Sequence, residues 1–158
     1  MAMTSRARTN GMKAFKTVKQ VLTKTGWQPE LTDAEGQLRV DFSGKLPISE
    51  ALAEVRIDYE RFLFYLKFRE RAPVRARKPV MEAVTRANFG LVIGNFELDL
   101  DSGALRFKAS IDFTEAELTA VLVRDSIRSA MDAVERYAHA LVSVMRGEST
   151  PAEAIRAA

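Results

Sequence analysis

Between Asn88 and Asp112 apolar and charged residues alternate around a central glycine turn, and this stretch constrains the fold more than any other. Phe96, Leu98 and Leu100 alternate with Glu97, Asp99 and Asp101; beyond Ser102-Gly103, Leu105, Phe107, Ala109 and Ile111 alternate with Arg106, Lys108, Ser110 and Asp112. A period of two marks strands buried on one face. The segment therefore predicts an antiparallel hairpin. A loop at Ser102-Gly103, or over Asp101 to Ala104, sets Leu100 opposite Leu105, Leu98 opposite Phe107, Asp99 opposite Arg106 and Glu97 opposite Lys108. Both faces are then matched. A three-residue loop would set Asp99 against Leu105 and turn one strand over, so it is rejected. Exposed cross-strand ion pairs of this kind contribute about 0.2–1 kcal/mol each, and they specify register more than they stabilise.

A chain of 158 residues is long enough for one domain that buries most of its apolar surface without covalent staples. It has no cysteine, which excludes a disulfide framework, thiolate chemistry and a thiolate metal site. That composition fits a reducing cytoplasm. No apolar run approaches the roughly 20 residues of a membrane span, and the N-terminus lacks the apolar core of a secretory signal, so a soluble, cytoplasmic protein is expected. The net charge of +3, from 24 Lys and Arg against 21 Asp and Glu, does not by itself imply nucleic acid.

Residues 1–10 are small, polar and basic, and are expected to form a flexible N-terminal segment ahead of a single domain over 11–158. Met12, Phe15, Val18 and Leu22 recur at helical spacing up to Gly26, the expected stop. The polar side of this helix carries Lys13, Lys16, Lys19 and Lys24, and no acidic residue occurs before Glu30. A cationic face for an acidic partner is one reading; a solvated lysine face is the more ordinary one and is preferred. After a turn at Glu35-Gly36, Leu38, Val40 and Phe42 define a first strand, and beyond Pro47 the alternation of Val55, Ile57 and Tyr59 defines a second.

The third strand, Phe62 to Phe68, breaks the pattern of one wet face. Phe62, Phe64, Leu66 and Phe68 share one side, while Leu63, Tyr65 and Lys67 share the other. Either that second face is covered by a loop, a subunit or a partner, or its apolar residues are the isolated exposed ones that any surface carries. A basic, proline-bounded connection follows with Arg69, Arg71, Arg75, Arg77 and Lys78. Together with Tyr65 and Lys67 it offers cations and a stacking ring for a single nucleic-acid strand. A mobile solvated loop is preferred, because no known nucleic-acid-binding signature accompanies it.

Pro79 suits the first turn of a short helix through Val80, Val84 and Ala87, which ends near Asn88-Phe89-Gly90 before the hairpin. Beyond the hairpin, Thr114 and Glu117 have the spacing of a capping box and predict the start of a long helix. Its apolar stripe is Val123, Ile127, Ala130, Val134, Tyr137 or Ala138, Leu141 and Val144 or Met145, opposite Arg124, Arg128, Asp132, Glu135 and His139, with Gly147 as the stop. Thr150-Pro-Ala-Glu153 predicts a second cap and a last short helix anchored by Ile155.

No set of residues names a reaction. His139 is the only histidine and stands four residues after Glu135 on the polar face, as a solvated ion partner would. Gly90, Gly94 and Gly103 are spaced as turn residues rather than as a phosphate-cradling loop. Glu97, Asp99 and Asp101 face cationic neighbours, so they are charge partners before they are acid–base or metal groups. The expectation is no catalytic residue, no metal site and no cofactor.

Asn88, Gly90, Gly94, Phe96, Asp99, Gly103, Leu105, Phe107 and Lys108, then Asp132, Tyr137, Leu141, Val144, Gly147 and Pro151-Ala-Glu-Ala-Ile, together resemble the YbjN family of bacterial sensory transduction regulators. The resemblance covers the second half of the chain by motif and the first by element order. It implies an α+β fold of order α-β-β-β-α-β-β-α, with a twisted antiparallel sheet packed against helices as in type III secretion chaperones. It also implies a homodimer and brings no catalytic residue with it. The expected function is a non-enzymatic, cytoplasmic regulator or chaperone-like module that holds a protein partner. Phe15, Val18, Leu22, Leu63, Tyr65 and Lys67 are its candidate partner or dimer residues. Single-stranded nucleic-acid binding through Tyr65, Lys67 and the arginine loop is the alternative.

Overall fold

Phe62, Phe64 and Leu66 leave no surface to water, and this buried edge of one strand sets the architecture. The computed structural model describes residues 5–158; residues 1–4 of the expected N-terminal segment lie outside the described residues. Helix α1 (Ser5–Lys24) leads into β1 (Glu30–Leu31), β2 (Gln37–Asp41), β3 (Ile48–Arg56) and β4 (Arg61–Phe68). Helix α2 (Arg77–Asn88) precedes the hairpin of β5 (Asn95–Leu98) and β6 (Leu105–Asp112), and α3 (Ala120–Arg146) and α4 (Pro151–Ala157) complete the chain.

The six strands are ordered β1-β2-β3-β4-β6-β5, and every neighbouring pair is antiparallel. Apart from the two-residue strand β1, this is the expected element order. Phe62, Phe64 and Leu66 of β4 share the inner face with Phe107 and Ala109 of β6, Ala51 and Ala53 of β3 and Leu38 of β2. The helices close this face. Every residue of the expected α3 stripe is buried, from Val123 to Met145. Phe96 is the aromatic hub, with Phe107, Phe68 and Tyr137 at centroid distances of 5.0, 6.2 and 6.2 Å. Burying such a ring contributes about 1.5–3 kcal/mol.

The hairpin forms with the expected faces but a different register. Leu98 lies opposite Leu105 and Glu97 opposite Arg106, not Phe107 and Lys108 as the short loop required. The slip is by two residues, so the sides are kept. Asp99 is a turn residue instead of a partner for Arg106. Its carboxylate accepts from the Asp101 amide at 3.0 Å and from the Ser102 hydroxyl, and its backbone closes the loop with Gly103 and Ala104. The Ser102 hydroxyl and the Asp101 amide hold that carboxyl below its ordinary range. Leu100 is half exposed rather than facing Leu105. The loop is also docked: the Ala72 amide donates to Gly103 at 2.8 Å and Arg77 donates to the Leu100 carbonyl at 2.9 Å.

Three other boundaries differ. Helix α1 starts at Ser5 and so takes in residues assigned from sequence to the N-terminal segment. The second strand, expected over Val55, Ile57 and Tyr59, instead begins at Ile48 and stops at Arg56, and Ile57–Tyr59 form a 3-10 turn. Thr114 does not cap α3. Its hydroxyl accepts from Arg61 and its amide donates to Asp112, while Glu117 pairs with Lys13 at 2.9 Å. Thr119 is the cap instead, accepting from the Leu122 amide. The second capping box, at Thr150 and Glu153, forms as expected. In α4 Ala154 is buried, and Ile155 packs half-buried against the core.

Gly11 explains how α1 reaches the end of the sheet. A Cβ there would stand 2.1 Å from the Ile57 carbonyl oxygen, so only glycine lets the helix cross the 3-10 turn so closely. Alanine is the better helix former by about 1 kcal/mol, yet Gly11→Ala should lower stability by about 1–3 kcal/mol through this clash. Urea unfolding followed by circular dichroism checks it, and an unchanged or higher midpoint would contradict the packing.

Candidate partner-binding surfaces

Among the described residues no helix lies on the outer face of the sheet. Its residues form rows across the strands: Asp41, Glu50, Lys67, Arg106 and Glu97 in one, and Arg39, Leu52, Tyr65, Lys108 and Asn95 in the next. These side chains occupy one another. Lys67 pairs with Glu50 at 2.8 Å, and Glu97 takes both Arg106, at 2.7 Å, and Lys108. The Arg106 guanidinium lies 4.4 Å from the centre of the Tyr65 ring, which leaves Tyr65 only 8% exposed. Leu63 is half-buried between Glu54 and Ser110. The apolar second face of β4 is thus covered largely by its own charged neighbours.

Burial by itself would raise the Glu97 carboxyl, but the hydrogen bonds from Lys108 and Arg106 outweigh it and hold the group below its ordinary value. A depressed carboxyl contributes stability above its unfolded pKa and loses that contribution as pH falls through the folded value.

Elsewhere the expected site residues separate. Val18 and Leu22 of α1 have no exposed surface, so neither offers a binding face. Helical spacing marked them as apolar but did not say which side of the helix the sheet takes. Phe15 is half-buried against the core. In the basic connection, Arg69 donates to the Ile48 carbonyl at 3.0 Å and Arg77 to the Ala72 and Leu100 carbonyls at 3.3 and 2.9 Å. Glu70 pairs with Arg146 at the end of α3, whose guanidinium holds the Glu70 carboxyl below its usual range. The connection is a staple more than a mobile loop. Arg71, Arg75 and Lys78 are exposed, and among the described residues they have no bonded partner.

One surface was not legible in the sequence. On the loop from α2 into β5, Phe89 and Val92 are 95% and 96% exposed, and Ile93 is 47% exposed. Met81, on the outer side of α2, is 45% exposed. Contiguous exposed apolar residues of this size mark interaction sites. The available signal was Phe89 followed by the run Leu91, Val92 and Ile93 between Gly90 and Gly94, which follows no strand or helix period. Strand β5 beside it is an edge of the sheet, closed at Phe96 by the Asn88 side chain, which accepts from the Phe96 amide at 2.8 Å and donates to its carbonyl at 3.0 Å.

His139 is exposed. Among the described residues no group of three or more His, Asp and Glu is arranged to hold a metal, and no helix is long and apolar enough to cross a membrane.

An antiparallel sheet in this strand order, packed against helices, is an α+β fold of the type III secretion chaperone-like kind. Residues 15–143 match the profile described as "Putative bacterial sensory transduction regulator", and the chain belongs to the YbjN family. Among solved structures it is similar to YbjN from E. coli, at 12% identity and TM-score 0.58, covering 85% of this chain and 90% of that one. It is also similar to a chain of the HopA1-SchA chaperone-effector complex, at 13% identity and TM-score 0.54, covering 81% and 97%. A chain of the ExsC-ExsE complex matches at 15% identity and TM-score 0.52, covering 82% and 94%. No curated protein sequence matches the chain significantly. At such identities the structural likeness establishes the fold.

The triad of Glu97, Arg106 and Lys108 yields a pH prediction. Glu97→Gln should be less stable than the wild type at pH about 7, by about 1 kcal/mol or less for pairs this exposed. The difference should shrink at a pH well below the ordinary carboxylate range, as the wild-type carboxyl in turn takes up its proton. Urea midpoints at the two pH values decide it, and an equal gap at both would refute the assignment.

Proposed function

We propose that this chain is a non-enzymatic regulatory or chaperone-like module that holds a protein segment and works as a homodimer. The observation that carries the reading is the exposed apolar set of Met81, Phe89, Val92 and Ile93 beside the β5 edge. A surface of that kind is costly in water unless something covers it. The neighbouring folds in the HopA1-SchA chaperone-effector complex support a protein as the partner. Family membership supports a regulatory role.

The dimer is assigned to the α2–β5 side rather than to Leu63 and Tyr65. Tyr65 is already packed under Arg106, and Leu63 is half-buried between Glu54 and Ser110. The α2–β5 patch suits a two-fold contact, in which one surface meets its own copy. Nothing in the geometry favours the nucleic-acid reading, since Lys67 is paired and Tyr65 is not open for stacking.

Size-exclusion chromatography with light scattering should give a dimer for the wild type and for Leu63→Asp, and a monomer for the double variant Phe89→Asp/Val92→Asp. Circular dichroism should show the variants to remain folded. A monomeric wild type removes the dimer. Affinity purification from the native cell after mild cross-linking should recover a defined protein, and recovery of nucleic acid alone would overturn the protein-holding role.

A further inference from the structure

Helix α1 contains no acidic residue from Ser5 to Lys24, yet the structure treats its two halves differently. In the first half the cations are met from within the molecule. Arg6 lies 3.6 Å from Glu115, Arg8 bonds Glu35 and Asp58, and Lys13 pairs with Glu117. These pairs tie the helix to the loops at one end of the sheet. In the second half Lys16, Lys19 and Lys24 are exposed, and among the described residues no carboxylate pairs with any of them. With Gln20 and Thr23 they line an open recess of about 360 Å³. Its lining is more apolar than polar, as the methylene stems of lysine supply.

Charge complementarity selects the occupant. We infer that this recess holds an acidic segment of the protein partner, with an apolar side chain between the stems and carboxylates at Lys16, Lys19 and Lys24. The inference rests on the protein-holding role proposed above and names the chemistry of what is held. Phosphate-rich ligands fit less well. Bidentate recognition of phosphate is the work of arginine, and among the described residues the lining has neither an arginine nor an aromatic ring on which a base could stack. From Lys16 to Lys24 the helix rises about 12 Å, a span that two or three carboxylates spaced by a helical turn, or by alternate residues of an extended strand, can follow.

The test uses the full chain and a short fluorescein-labelled peptide of glutamate with leucine at every third or fourth position, read by fluorescence anisotropy. The acidic peptide should bind, its counterpart with lysine for glutamate should not, and raising salt from about 0.05 to about 0.3 M should weaken binding. The triple variant Lys16→Glu/Lys19→Glu/Lys24→Glu should bind it at least about tenfold more weakly, as the loss of several exposed ion pairs requires. Its circular dichroism and its oligomeric state should be unchanged. Equal affinity for the two peptides, or an unaffected triple variant, overturns the inference. So does equally tight binding of oligo-dT or of phosphatidylglycerol vesicles, which would mark a general polyanion surface. A partner captured from the native cell equally well by wild type and triple variant leaves the protein-holding role intact and removes this recess from it.

Discussion

The burial of one face of β4 under the helices is the contact on which the structure depends. Phe62, Phe64 and Leu66 are fully enclosed, and on the adjacent strand Phe107 is too. The sheet cannot form without that cover, because an antiparallel sheet of this size has an apolar side that must be removed from water. Helix α3 supplies much of it with a continuous stripe from Val123 to Met145. The other helices are then placed by what remains open: α1 along β3 and the 3-10 turn, α2 against β5, and α4 against α2 and α3.

Having one covered face obliges the other to be made compatible with water. That explains the crossed rows of charge on the outer sheet, where Glu50, Lys67, Arg106, Lys108 and Glu97 satisfy each other and shield Tyr65 and Leu52. Ion pairs of this exposure contribute little stability individually. Their effect is to close a surface that would otherwise be adhesive. Among the described residues such closure is missing on the α2–β5 loop with Phe89 and Val92, and on the second half of α1, where Lys16, Lys19 and Lys24 have no carboxylate partner. One is apolar and the other cationic, and they lie on different elements. Two separate kinds of contact, one with a second copy and one with a partner segment, are consistent with that division.

Legibility in the sequence followed the range of the interaction involved. The period-two runs identified the inner residues of β2, β4 and β6 correctly, because side-chain alternation is imposed by the strand itself. The Thr150 cap formed as read, since its partner Glu153 is three residues away and nothing else competes. Thr114 had the same local signature and failed. Arg61, distant in sequence, takes its hydroxyl, and Lys13 takes Glu117. Asp99 likewise had the spacing of a cross-strand partner but was captured by its own turn, which is docked on Ala72. Among the candidate site residues, Val18 and Leu22 were recognised as apolar, but the side from which the sheet approaches decides whether an apolar residue is core or surface.

By itself the sequence determined the fold class, the antiparallel pairing, the inner face of β2, β4 and β6 and the family. All of these rest on periodicity, or on motifs a few residues long. Tertiary structure alone decided the hairpin register, the start of α3, the crossing at Gly11 and which charges remain unpaired. Each of these depends on a group brought close by folding from far along the chain. A local pattern shows which side chains can bond or bury, whereas only the assembled molecule shows which of the competing partners arrives.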